Sequence, residues 1–137
     1  MNSKKILVVD DDPVFTKATS MKLRSEGFDV LTAEDGSGAV SALRQGKPDL
    51  ILLDVLFPPD VAHGGGVSWD GFLIMDWLRR MGNIGDTPVI LMTAADPKPY
   101  LERARKAGAA GFFQKTIEPG ELTRFVHQLL AESAAVA

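Results

Sequence analysis

Apolar residues fall along this chain in short unbroken runs, separated by stretches where they recur every three or four positions. The clearest runs are Ile6-Leu7-Val8-Val9, Leu50-Ile51-Leu52-Leu53 and Val89-Ile90-Leu91-Met92. A run without alternation suits a strand covered on both faces, as in a parallel sheet under helices. Strands are therefore predicted over 5–10, 49–54, 88–93 and 110–114, with a weaker, more exposed one over 28–33. The intervening stretches read as helices. Asp12 is placed to cap the first and Pro13 to open it. Val14, Ala18 and Met21 give that helix an apolar face, and Gly27 ends it. After an Asp35-Gly36 turn, Ala39, Val40 and Leu43 mark a second helix that stops at Gly46. A third is predicted over 72–81, with Trp77 in the core, and a fourth over 96–107. The fifth starts near Glu118-Pro119, where Leu122, Phe125, Val126, Leu129 and Leu130 follow the spacing of a helix lying on a core.

Strand and helix thus alternate through the whole chain. Right-handed crossovers turn such an alternation into a doubly wound parallel sheet. The expected fold is α/β, a five-stranded parallel sheet of order 2-1-3-4-5 in a flavodoxin-like (βα)5 single domain. That domain is expected to occupy 1–137, with its core at about 4–130 and a frayed tail at 131–137. All strands then end on one edge, and the switch point lies between the first and the third.

Composition narrows the function. A net charge of -3 gives no basic footprint for nucleic acid. Without cysteine there is neither disulfide nor thiolate metal site. No apolar run approaches membrane-spanning length. A cytoplasmic location with no membrane partner is the default expectation.

The polar residues at the strand ends carry the chemistry. Asp10 and Asp11 follow the first strand, Asp54 ends the third, Thr93 the fourth, and Lys115 comes just after the fifth. Crowded carboxylates repel one another and call for a cation, and hard oxygens beside a phosphate site suit Mg²⁺. Asp54, backed by a buried strand, is the candidate nucleophile and phosphoacceptor. A metal, the Lys115 ammonium and the Thr93 hydroxyl could then neutralise the phosphoryl oxygens. Asp12 is read as a helix cap and not as a third ligand. His63 and His127 are read as surface residues.

The segments 6–13, 49–54, 88–94 and 108–115 together resemble the receiver domain of two-component response regulators, of the stand-alone type. The resemblance covers about 4–130 of the chain. It implies a phosphorylation-dependent signalling switch, not an enzyme in its own right. Asp54 would take phosphate from a histidine kinase or a His-phosphotransfer protein. Asp10, Asp11, Asp54 and the Leu56 backbone carbonyl would hold Mg²⁺. Thr93, Lys115 and Phe112 would sense the phosphate and carry the switch, and Leu56 and Ala95 would tune hydrolysis. The downstream target is a protein that the sequence does not identify, and a phosphorylation-dependent homodimer is a further partner mode. Two other readings stand beside this one: an interaction module working without phosphate, and a flavin or phosphate enzyme on the same fold. The chain departs from the family's usual pattern in three places. Thr116 stands where Pro is usual, so the Lys115–Thr116 bond is expected to be trans. Phe112 stands where Tyr is frequent. A long Gly- and Pro-rich loop over 59–70, containing His63 and Trp69, is expected to lie on the rim of the site.

Overall fold

The computed structural model describes residues 4–55, 72, 75–76, 79–80, 87–94, 96, 98–115 and 118–136. The elements are β1 (Lys5–Val9), α1 (Pro13–Ser25), β2 (Asp29–Ala33), α2 (Gly36–Gly46), β3 (Leu50–Asp54) and β4 (Val89–Thr93). A short 3-10 turn, Lys98–Tyr100, leads into α3 (Leu101–Lys106), followed by β5 (Gly111–Gln114) and α4 (Pro119–Val136). Phe72, Met75, Asp76, Arg79 and Arg80, within the predicted third helix, have helical backbone. Leu56, the 59–70 loop with His63 and Trp69, Trp77, Ala95 and Thr116 lie outside the described residues.

The five strands form one parallel sheet in the order β2-β1-β3-β4-β5, as expected. Every residue of β3 and β4 is buried, which is why their sequences are apolar without alternation. Alternate residues still go to opposite faces. Leu7, Val9, Ile51, Leu53, Val89 and Leu91 pack with Ala39, Val40 and Leu43 of α2, with Phe72 and Met75, and with Ala104 of α3. Ile6, Val8, Leu50, Leu52, Ile90 and Met92 pack with Leu23 of α1 and with Leu122, Val126 and Leu130 of α4. Phe112 and Phe113 split in the same way, one to each core.

Asp12 caps α1 as expected, accepting hydrogen bonds from Val14 N at 3.0 Å and Phe15 N at 3.3 Å. The face of α1 needs correcting. Val14 and Met21 are 76% and 61% exposed, while Thr19, Ser20 and Leu23 are buried. Phe15, Thr19 and Leu23, four apart, form the inward stripe, with Phe15 partly buried against the core. The stripe through Val14, Ala18 and Met21 lies to one side of it and faces outward, because each position turns the helix by about 100°. Polar Thr19 on the inner stripe hides the pattern from a reading of apolar residues alone.

Two other boundaries differ from expectation. Asp35 is the cap of α2 and not part of a separate turn, since its Oδ1 accepts from Gly38 N at 2.7 Å. α3 is shorter than 96–107, because its first turn is the 3-10 segment containing Pro99, which has no N–H to give. Gly27 and Gly108 do stop their helices, at φ values of 94° and 82° that residues with a Cβ rarely adopt. α4 remains helical through Val136, including the stretch expected as a frayed tail. No helix of the described residues is long and apolar enough to cross a membrane.

Candidate functional site

Register assembles the site. Val9 is level with Leu53, so the next residue in each chain segment, Asp10 and Asp54, meet at the carboxyl edge of β1 and β3. On the other side Asp54 is level with Met92, and Thr93 with Gln114. Asp10 is fixed by its amide, which donates to Ala33 O of β2 at 3.0 Å. Lys115 is fixed by its own, which donates to Thr93 O at 2.8 Å. Side chains from three separate strand ends are thereby delivered to one point by backbone hydrogen bonds.

Lys115 Nζ donates to Asp10 Oδ1 at 2.9 Å and to Asp54 Oδ2 at 3.0 Å. Asp10, Asp54 and Thr93 are 1%, 2% and 0% exposed. Asp11 is more open, and one carboxylate oxygen from each of Asp10, Asp11 and Asp54 lies within 4.8 Å of the others. Asp10 Oδ1 also accepts from Asp12 N at 2.9 Å. Asp10 Oδ2 is buried and lies 2.8 Å from the same Lys115 ammonium.

Burial pushes the Asp10 carboxyl up to about 6, and the Asp54 charge adds to that, while Lys115 and the Asp12 amide pull it down. Burial also opposes the charge on Lys115, but its hydrogen bonds to Asp10 and Asp54 win, and its pKa moves above the ordinary value. The two directions look inconsistent for one ion pair. They agree once the count of charges is made: two buried carboxylates share one ammonium, so the cation is over-compensated and Asp10 is under-compensated. Such a site lacks positive charge.

The sequence matches the response regulator receiver domain family over residues 6–127. The chain belongs to that family. It is 42% identical over 125 residues to a probable transcriptional regulatory protein, TcrX, of Mycobacterium tuberculosis, covering 91% of this chain and 49% of that protein. It is 32% identical over 127 residues to the DNA-binding response regulator MtrA of Mycolicibacterium smegmatis, covering 93% of this chain and 50% of that one. The receiver therefore spans about half the length of these curated relatives. Among solved structures, the receiver domain of the Francisella response regulator 1452 superposes with a TM-score of 0.80 at 27% identity, over 96% of this chain and 99% of that chain. A receiver domain is a signalling switch and not an enzyme in the usual sense.

A divalent cation would fit the acidic cluster of this receiver. The donors are hard carboxylate oxygens, and the cluster is short of positive charge, with one ammonium between two buried carboxylates. Asp12 is turned away into its cap and is not part of the cluster. Thr93 is buried at the end of β4, one strand from Asp54. Phe112 lies lower on β5, its ring 6.4 Å from Phe72, which in turn stacks at 6.2 Å on Tyr100 and lies under Arg103 at 4.4 Å. Leu56 and Ala95 are outside the described residues. His127 is half-exposed, with Nε2 3.6 Å from Glu26 and its ring 4.9 Å from Phe28.

Sequence reasoning overlooked two participants. Asp49 ties the start of β3 to β1, its Oδ2 accepting from Lys5 N at 2.8 Å. Phe15 brings its ring to 5.1 Å from Lys115 Nζ. Nothing in the sequence spacing of residues 15 and 115 signals that approach.

Proposed function

We propose that Asp54 accepts a phosphoryl group from a phosphohistidine on a histidine kinase or a His-phosphotransfer protein. A carboxylate oxygen of Asp54 attacks phosphorus, the phosphorus–nitrogen bond breaks, and the donor imidazole leaves with that electron pair and takes up a proton. Asp10, Asp11 and Asp54, with the Leu56 carbonyl, would hold Mg²⁺, whose charge offsets that of the phosphoryl oxygens when it is bound. The Lys115 ammonium and the Thr93 hydroxyl take phosphoryl oxygens, and Phe112 carries the change to the surface around α3 and β5. Thr93 and Lys115 are joined through a backbone hydrogen bond of 2.8 Å, so movement at one is felt at the other.

The observation that supports this reading best is the Lys115 ammonium at 3.0 Å from a buried Asp54 carboxylate that shares it with Asp10. When Lys115 turns from Asp54 to a phosphoryl oxygen, the nucleophile already sits beside the charges that the transfer needs. The exposed Val14 and Met21, on the helix that starts beside Asp11, offer a protein donor an apolar landing next to the site. The output is a changed protein-binding surface. DNA binding belongs to the names of longer relatives, and a net charge of -3 offers a nucleic acid no overall attraction.

Acetyl phosphate with Mg²⁺ should add one phosphoryl group to the protein by intact mass, and Asp54→Ala should take none. Uptake by the Ala variant at the wild-type rate sinks the assignment. Neither Leu56 nor Ala95 has a side chain that can orient an attacking water, so the phosphorylated form should decay slowly. Loss of the phosphoryl group over time measures this, and Leu56→Asn with Ala95→Glu should hasten it.

A further inference from the structure

Lysine is a flexible point charge on a four-carbon stem, and its direction must be imposed by its surroundings. Lys115 has two carboxylates on one side. On another side it borders a cavity of about 150 Å³ between α1 and α4, lined also by Phe15, Thr19, Leu23, Leu122 and Thr123. Such a cavity leaves the side chain room to swing away from the site. A phosphoryl group on Asp54 would replace the carboxylate oxygen that now holds it. Asp10 still holds the ammonium on the acidic side, and a contact on the cavity side must keep it from swinging outward.

We propose that Phe15 is a positioning residue for the Lys115 ammonium, which rests on the reading of Lys115 as the phosphate-facing cation. The ring centroid is 5.1 Å from Nζ, within the reach of a cation–π contact. The ring packs against the core between the sheet, α1 and α4, and the backbone that carries it is held. Phe15 N donates to Asp12 Oδ1 at 3.3 Å, and Asp12 N donates to Asp10 Oδ1 at 2.9 Å. That same Asp10 oxygen accepts from Lys115 at 2.9 Å. Aspartate, cap, ring and ammonium thus close a circuit in which Asp10 holds the ammonium from the acidic side and the aromatic face holds it from the cavity side, and neither contact involves Asp54. An aliphatic residue would fill the same space between the helices but would give the cation nothing to face.

The test compares Phe15→Leu, which keeps an apolar side chain, with Phe15→Tyr, which keeps the aromatic face. In the full chain, NMR of the Lys115 side chain should show ring-current-shifted protons next to Nζ in the wild type and in Phe15→Tyr. The shift should vanish in Phe15→Leu. Phosphoryl uptake from acetyl phosphate with Mg²⁺ should slow about fivefold in Phe15→Leu, the size of a partly desolvated cation–π contact. Phe15→Tyr should stay within about twofold of wild type. A wild-type rate in Phe15→Leu overturns the proposal, and so does equal slowing in both variants, which would mean packing alone. If the wild type takes no phosphoryl group, the assignment of Asp54 fails instead. The Lys115 shift then decides the role of Phe15: present with Tyr and absent with Leu supports it, and unchanged in both overturns it.

Discussion

Asp10 is the residue on which the electrostatics of the site turn. It is a carboxylate with 1% exposure, and its ammonium partner is shared with Asp54. Its folded pKa of about 6 stands above the ordinary 3.8. The sign follows from linkage. A carboxyl whose pKa rises on folding binds its proton more tightly in the fold, so its ionised form opposes folding. That cost is complete above about pH 6 and is relieved as pH falls from there towards 3.8. Two pKa units correspond to about 3 kcal/mol at most. Asp10→Asn should therefore be more stable than the wild type at pH 8 without metal, and the gap should narrow at pH 5. Urea unfolding at the two pH values, with a chelator present, checks this. A variant less stable than wild type at pH 8 would show that the ion pair with Lys115 outweighs burial.

Among the elements, β5 and α4 are joined by a contact that depends on one missing side chain. A Cβ on Gly111 would come within 2.7 Å of the Phe125 ring, which itself packs edge-on to Phe113 at 5.1 Å. An aromatic ring wedged between a strand and its helix cannot yield as a flexible tip would. Gly111→Ala should destabilise the fold by about 1–3 kcal/mol, the usual cost of overpacking. Urea unfolding reads the loss. Far-UV circular dichroism should remain unchanged, because no element is removed. β5 also carries Phe112 and leads into Lys115, so this packing fixes the height at which the lysine enters the site. α1 has a comparable double role. Its inner stripe holds the sheet, its cap ties Phe15 and Asp12 to Asp10, and its outer side leaves Val14 and Met21 exposed.

For the whole molecule, the acidic cluster joins the ends of β1 and β3, and Lys115 draws in the end of β5. Binding at such a junction should stabilise the fold as one unit. Mg²⁺ at about 100 times its Kd should add about 2.7 kcal/mol to unfolding. The rise in Tm should be largely lost in Asp11→Asn and kept in Asp12→Asn, since Asn caps a helix about as well as Asp. Equal loss in the two variants would put Asp12 among the ligands and refute the cap. The sequence by itself determined the strand-and-helix alternation, because unbroken apolar runs of four residues suit a strand covered on both faces and little else. It also determined which edge gathers the carboxylates and the lysine, because parallel strands must all end on the same side. Asp10, Asp54, Thr93 and Lys115 were legible for that reason. Only the tertiary structure decided which stripe of α1 turns inward, since Thr19 buries as well as an apolar residue when its neighbours enclose it. Only the tertiary structure brought Phe15 to Lys115. Contacts across a hundred residues follow from strand register and helix rotation, and neither is written in the spacing of residues along the chain.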